Sequence, residues 1–77
     1  PQEKRNIPLS GYIDNKVYDH IINITNEIQR KKPHLRYLVR RSGTEPLLRI
    51  LVEGKVQREV TNEIEILSNQ LEKILNE

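Results

Sequence analysis

Between positions 40 and 49 the chain gathers groups suited to binding an oxyanion: Arg40-Arg41-Ser42-Gly43-Thr44-Glu45-Pro46, then Arg49. Arg40 and Arg49 each offer a planar fork of N–H donors that fits phosphate bidentately. Ser42 and Thr44 add short hydroxyl donors. Gly43 can take φ > 0, which would turn successive backbone N–H groups inward as an anion-binding nest. Pro46 fixes the exit of the loop and holds Glu45 in the extended region. Glu45 is placed to pair with either Arg40 or Arg49 or to accept from a substrate hydroxyl, and Arg41 is a supporting cation. The competing reading is a plain hairpin turn, because Ser, Gly, Thr and Pro are all turn formers and arginines beside a turn are ordinarily solvated. On residue chemistry alone the two readings stand level.

The rest of the chain offers little other chemistry. It has no Cys, hence no disulfide, no thiolate ligand and no thiol nucleophile, and its two His residues do not make a metal site unaided. His20, beside Asp19, and His34, after Pro33, read as surface residues. Thirteen basic residues against eleven acidic ones leave a net charge of +2, too small for nucleic-acid binding as a bulk property. The basic character is local: Arg30-Lys31-Lys32 in one cluster, and Arg36, Arg40, Arg41 and Arg49 in another.

Elements that would position the loop follow from periodicity. Leu35, Tyr37 and Val39 alternate with Arg36, Leu38 and Arg40, and Leu48, Ile50 and Val52 repeat the pattern, so two strands joined by Arg41 to Pro46 form a hairpin that Gly54 ends. This brings Arg40 and Arg49 to the same loop mouth. Upstream, Val17, Ile21, Ile24 and Ile28 fall at helical steps between Asn15 and Lys31, with Tyr18, Ile22 and Thr25 widening the stripe and Asp14 or Asn15 as N-cap. The basic triplet lies at the negative end of that helix, where it complements the macrodipole, and Pro33 stops continuation. From Val56 onward, Val56, Val60, Ile64, Leu67, Leu71 and Leu75 trace a second amphipathic helix with Glu and Asn on its outer face. Ile7, Leu9 and Ile13 alternate as a short edge strand at the start, closed by a turn at Ser10-Gly11. The order strand, helix, strand, strand, helix predicts an α+β layer in which two helices cover one face of a small antiparallel sheet.

Seventy-seven residues hold one small domain. Its apolar content is twenty-four Ile, Leu and Val plus three Tyr, enough for a core of marginal stability. No apolar run approaches the roughly 20 residues of a membrane span, so the chain reads as soluble and cytoplasmic. It begins at Pro1 and contains no Met, which reads as a piece of a longer protein.

The stretch from Arg40 to Gly54 resembles the Arg-x-Ser-Gly-Thr-Glu-Pro-x-x-Arg-x-x-Val-Glu signature in the C-terminal domain of the phosphohexomutases. Gly43 and the tail Arg49 to Gly54 are most similar to the phosphoglucosamine mutase branch, and Pro1-Gln2 with Asn6 is similar to the start of the same domain. The resemblance implies a phosphate clamp made by Arg40, Ser42, Gly43, Thr44 and Arg49 on a phosphosugar substrate. It implies that hexose or hexosamine 6-phosphate and 1-phosphate are interconverted, through a bisphosphorylated intermediate, by a full-length enzyme whose phosphoserine and Mg²⁺ lie in other domains. The piece alone would then be inactive and bind no metal, with the enzyme's other domains as its partners. Glu3, Lys4 and Arg5 depart from the apolar residues common at those positions in the family.

Two further readings rest on other residues. Val60, Ile64, Leu67, Leu71 and Ile74 also satisfy a four-three spacing, as a helix-mediated association module would, though over only about two heptads. A small RNA-binding α+β domain would use the arginines on phosphates, but Tyr37 is the only nearby ring for stacking a base.

Overall fold

The computed structural model describes residues 1–76. Five elements follow one another: β1 (Gln2–Pro8), α1 (Asn15–Lys31), β2 (Arg36–Arg41), β3 (Leu47–Glu53) and α2 (Gln57–Leu75). This is the expected α+β order. The sheet has the spatial order β1-β3-β2, and both pairings are antiparallel. β1 and β2 are therefore the edges, and β3, with Leu48, Ile50 and Val52 pointing inward, is the central strand.

Strand alternation decides which face is which. Tyr37 and Val39 on β2, Leu48, Ile50 and Val52 on β3, and Ile7 on β1 are buried beneath the helices. Their neighbours Arg36, Leu38, Arg40, Arg49, Lys4 and Asn6 stand on the opposite face, which no element covers. α2 closes the core with Val60, Ile64, Leu67 and Leu71, and α1 adds Ile21, with Val17 and Ile28 half-buried around it. The Asp14 side chain caps α1 by accepting from the Val17 N–H at 2.9 Å.

Several details differ from the sequence reading. β1 starts earlier and ends at Pro8, leaving Leu9 and Ile13 as half-buried packing beyond the strand. Pro8 lacks an N–H, which an edge strand tolerates at its end. Only Ile7 of β1 is buried, because Glu3 and Arg5 share its inward face, and the Arg5 guanidinium there pairs with Glu65 of α2. β2 runs through Arg41 and β3 begins at Leu47, so the loop is Ser42 to Pro46. Val56 does not join the buried stripe of α2: it sits at the N-cap position, 56% exposed, with no side-chain cap. Glu63, counted on the outer face, is buried instead, and its carboxylate pairs with Lys32 just past the end of α1. Arg30 pairs with Glu27, so two members of the basic triplet serve the fold.

Gln29 ties α1 to β2. Its amide nitrogen donates to the carbonyl oxygens of Leu35 at 2.6 Å and Lys32 at 3.2 Å, and its Oε1 accepts from the Tyr37 N–H at 3.0 Å. Gly54 ends β3 for a steric reason, since a Cβ there would lie 2.4 Å from Leu35 Cδ2 and 3.2 Å from Val60 Cγ2. The helix residues of the association reading, Val60, Ile64, Leu67 and Leu71, are spent inside this core, with Ile74 half-buried against it. Tyr37 lies under the sheet at 6% exposure, so it offers no ring to a base.

Candidate functional site

An arginine pair on the uncovered sheet face forms the centre of the site. Register places Arg40 of β2 directly opposite Arg49 of β3, and Asn6 of β1 directly opposite Arg49 on its other side. Residues paired this way hold their Cβ atoms about 4.5–5.5 Å apart on one face. Two unit charges brought to such a separation would repel by somewhat under ~1 kcal/mol in water. Like charges facing each other across a ladder are ordinarily selected against, because they destabilise the pair. Among the described residues neither arginine has a carboxylate partner, although Arg36 at the far end of the same face pairs with Glu53 at 3.6 Å.

The loop closes one end of this row. Ser42 donates its N–H to the Leu47 carbonyl at 3.0 Å, which joins the ends of the hairpin. Its Oγ then accepts from the N–H groups of Thr44 at 3.4 Å and Glu45 at 3.2 Å. An oxygen used as acceptor still has its own O–H to donate. The Glu45 carbonyl accepts from Leu47 N–H at 2.8 Å, and the Pro46 carbonyl accepts from Leu9 N–H at 2.7 Å, which moors the loop exit to the chain beyond β1. Arg40, Ser42, Gly43, Thr44, Arg49 and Asn6 line one open concavity of about 610 Å³.

Two expectations about this site are corrected. Gly43 has no positive φ, so the inward nest it was to create is not built that way. The Ser42 hydroxyl organises the turn by gathering the Thr44 and Glu45 amides, a role that asks nothing unusual of the residue between them. Gly43 faces open space, with nothing within 4 Å of where a Cβ would stand. Glu45 pairs with neither arginine; it is exposed and does not line the concavity. Arg41 also lines the concavity, while it shares strand parity with Tyr37 and Val39. Its guanidinium lies 4.1 Å above the Tyr18 ring and donates to Asn15 Oδ1 at 3.1 Å, tying the start of the loop to α1. Arg40, Ser42, Thr44 and Arg49 stand where the hairpin reading put them, around one mouth.

Residues 16–75 match the family model described as "Phosphoglucomutase/phosphomannomutase, C-terminal domain". The chain belongs to this family. Its curated relatives include a phosphoglucosamine mutase of Dictyoglomus turgidum, 40% identical over 83% of this chain and 14% of the relative. Another, from Prochlorococcus marinus subsp. pastoris, is 45% identical over 78% of the chain and 14% of the relative. A third, from Synechococcus sp., aligns with 99% of the chain at 34% identity and with 17% of its own length. The chain thus spans about one seventh of the length of the relatives it matches. Among the described residues of this phosphoglucomutase/phosphomannomutase C-terminal domain, no three His, Cys, Asp or Glu side chains gather as a metal site. The concavity is lined by cations and neutral donors, a poor fit to a divalent cation and a good one to an anion. Among the described residues no helix is long and apolar enough to cross a membrane.

Proposed function

We propose that this domain grips the phosphate of a phosphosugar, as part of an enzyme that interconverts hexosamine or hexose 6-phosphate and 1-phosphate. Phosphoglucosamine mutase is the activity best supported, since that is the name its relatives carry. The observation that carries the reading is the Arg40–Arg49 pair, two like charges held face to face on an uncovered sheet with no carboxylate between them. An anion seated between the guanidinium groups turns a repulsion into two charge-assisted, bidentate interactions. Ser42 O–H and Thr44 O–H border the same space and supply further donors. Such a clamp positions a phosphate that is not being transferred, which orients the sugar toward groups that move a phosphoryl. The phosphoserine and the Mg²⁺ of such an enzyme belong to its other domains in this reading. Mg²⁺ supplies charge neutralisation in phosphoryl transfer.

Arg49→Lys tests the assignment, because it keeps the charge and removes the fork. Phosphate affinity is expected to fall by the equivalent of roughly 1–3 kcal/mol. Equal affinities of the variant and the native chain for inorganic phosphate, measured by calorimetry or amide shifts, would count against the clamp.

A further inference from the structure

We infer that Asn6, on the first strand and more than thirty residues from the loop, is a third anion-contacting group of the site. The inference rests on the clamp proposed above and extends it by one residue. The antiparallel register sets Asn6 directly opposite Arg49, so Asn6, Arg49 and Arg40 form one row across all three strands of the uncovered face. All three side chains are exposed and border the same concavity.

Chemistry separates Asn6 from the rest of its strand. Asn is depleted in strands, because its short amide competes for backbone partners and packs poorly. Here it stands mid-strand, between Arg5, which turns inward to Glu65, and the buried Ile7. Among the described residues its carboxamide makes no hydrogen bond. A carboxamide has one accepting and one donating end. Oδ1 can accept one of the Arg49 N–H groups that a bidentate anion leaves unused, and Nδ2 then donates to the anion. Arg49 is thereby flanked by a repelling cation on one side and an orienting acceptor on the other. A carboxylate at position 6 would do the opposite: it would capture Arg49 and repel a phosphate. The neutral amide is the side chain of this size that holds the arginine while leaving its charge for the ligand.

The test uses inorganic phosphate titrated into the ¹⁵N-labelled chain, with the dissociation constant taken from amide shifts. Asn6→Ala is expected to weaken phosphate by about tenfold or more, the loss of one hydrogen bond to a charged group. Asn6→Asp is expected to weaken it more than Asn6→Ala, an order that a merely structural role does not produce. Gln2→Ala, on the same strand and face but opposite Glu53, is expected to stay within twofold of the native chain. Unchanged amide positions along α2 check that each variant is folded. If Arg49→Lys weakens phosphate while Asn6→Ala and Asn6→Asp bind like the native chain, this inference is overturned and the clamp stands. If the native chain itself binds no phosphate, the clamp reading and this inference fall together.

Discussion

Arg40 and Arg49 face each other at a cost the fold does not recover by itself. Like charges opposed across a ladder cost a few tenths of a kcal/mol, and no carboxylate among the described residues relieves these two. Arg40→Gln should therefore leave the free chain as stable as before, or up to about 0.5 kcal/mol more stable. It should also abolish the rise in melting temperature expected of the native chain when phosphate is added. Scanning both proteins with and without phosphate checks the pair of outcomes. Gly43 leads to a second expectation. Its φ is not positive and a Cβ would meet nothing within 4 Å, so Gly43→Ala should change stability by less than about 0.5 kcal/mol. A large loss in a denaturant titration would mean that the turn needs glycine after all. Arg40 and Arg49 were legible because strand alternation alone puts both at the hairpin mouth. The same alternation, carried one residue further, puts Arg41 on the helix side with Tyr37 and Val39; ending the strand at Arg40 hid this.

At the scale of elements, the junctions between helices and strands hold what periodicity does not reveal. Both helices, β2 and β3 follow from apolar spacing, whereas β1 keeps only Ile7 of the alternation read for it, and α1 keeps its expected bounds of Asn15–Lys31. Contacts across elements do not follow from spacing. Glu63 reads as an outer-face residue until Lys32 arrives from another element to pair with it in a buried place. Gln29 is a polar helix residue whose amide meets three backbone groups along the turn into β2, those of Lys32, Leu35 and Tyr37. Asn6 belongs to the site only through its register with β3, and no local pattern in β1 states that register. Gly54 shows the same limit: it reads as a strand end, but close approach of Leu35 and Val60 is what excludes a side chain. Gly54→Ala should destabilise by roughly 1–3 kcal/mol through overpacking, because the atom it meets belongs to a buried leucine. For a domain of this size about 1 kcal/mol moves the melting temperature by roughly 4–8 °C, so calorimetry resolves the effect.

Taken whole, the molecule divides its labour between the two faces of one small sheet. The helix side carries the core and the other side carries Arg40 and Arg49, so site variants and core variants should separate cleanly. Tyr37 reports on the first of these. Burial is the main cause that raises its phenol above the ordinary value of 10.0, with the nearby Glu59 charge adding to it, and its hydroxyl is buried without a partner. A group whose folded pKa lies above its unfolded value binds more protons when folded, so its contribution is intact below about pH 10 and fades as pH rises through the folded value. Tyr37→Phe should remove that alkaline loss. At neutral pH it should leave stability equal or higher by up to about 1 kcal/mol, since no unsatisfied hydroxyl remains. Melting curves of both proteins from pH 8 to 11 check this, and parallel losses in the two would assign the alkaline weakening elsewhere.

The claim that one face of this sheet seats a phosphate has a direct test. A few charge-assisted hydrogen bonds of about 1.5–3 kcal/mol each, set against an association cost of at least roughly 4 kcal/mol, give an affinity near the millimolar range. Inorganic phosphate titrated to tens of millimolar into the ¹⁵N-labelled chain should shift the amides of Arg40, Ser42 to Thr44 and Arg49 along one saturating curve. No saturating shifts in that range, or shifts centred instead on α2, would contradict it.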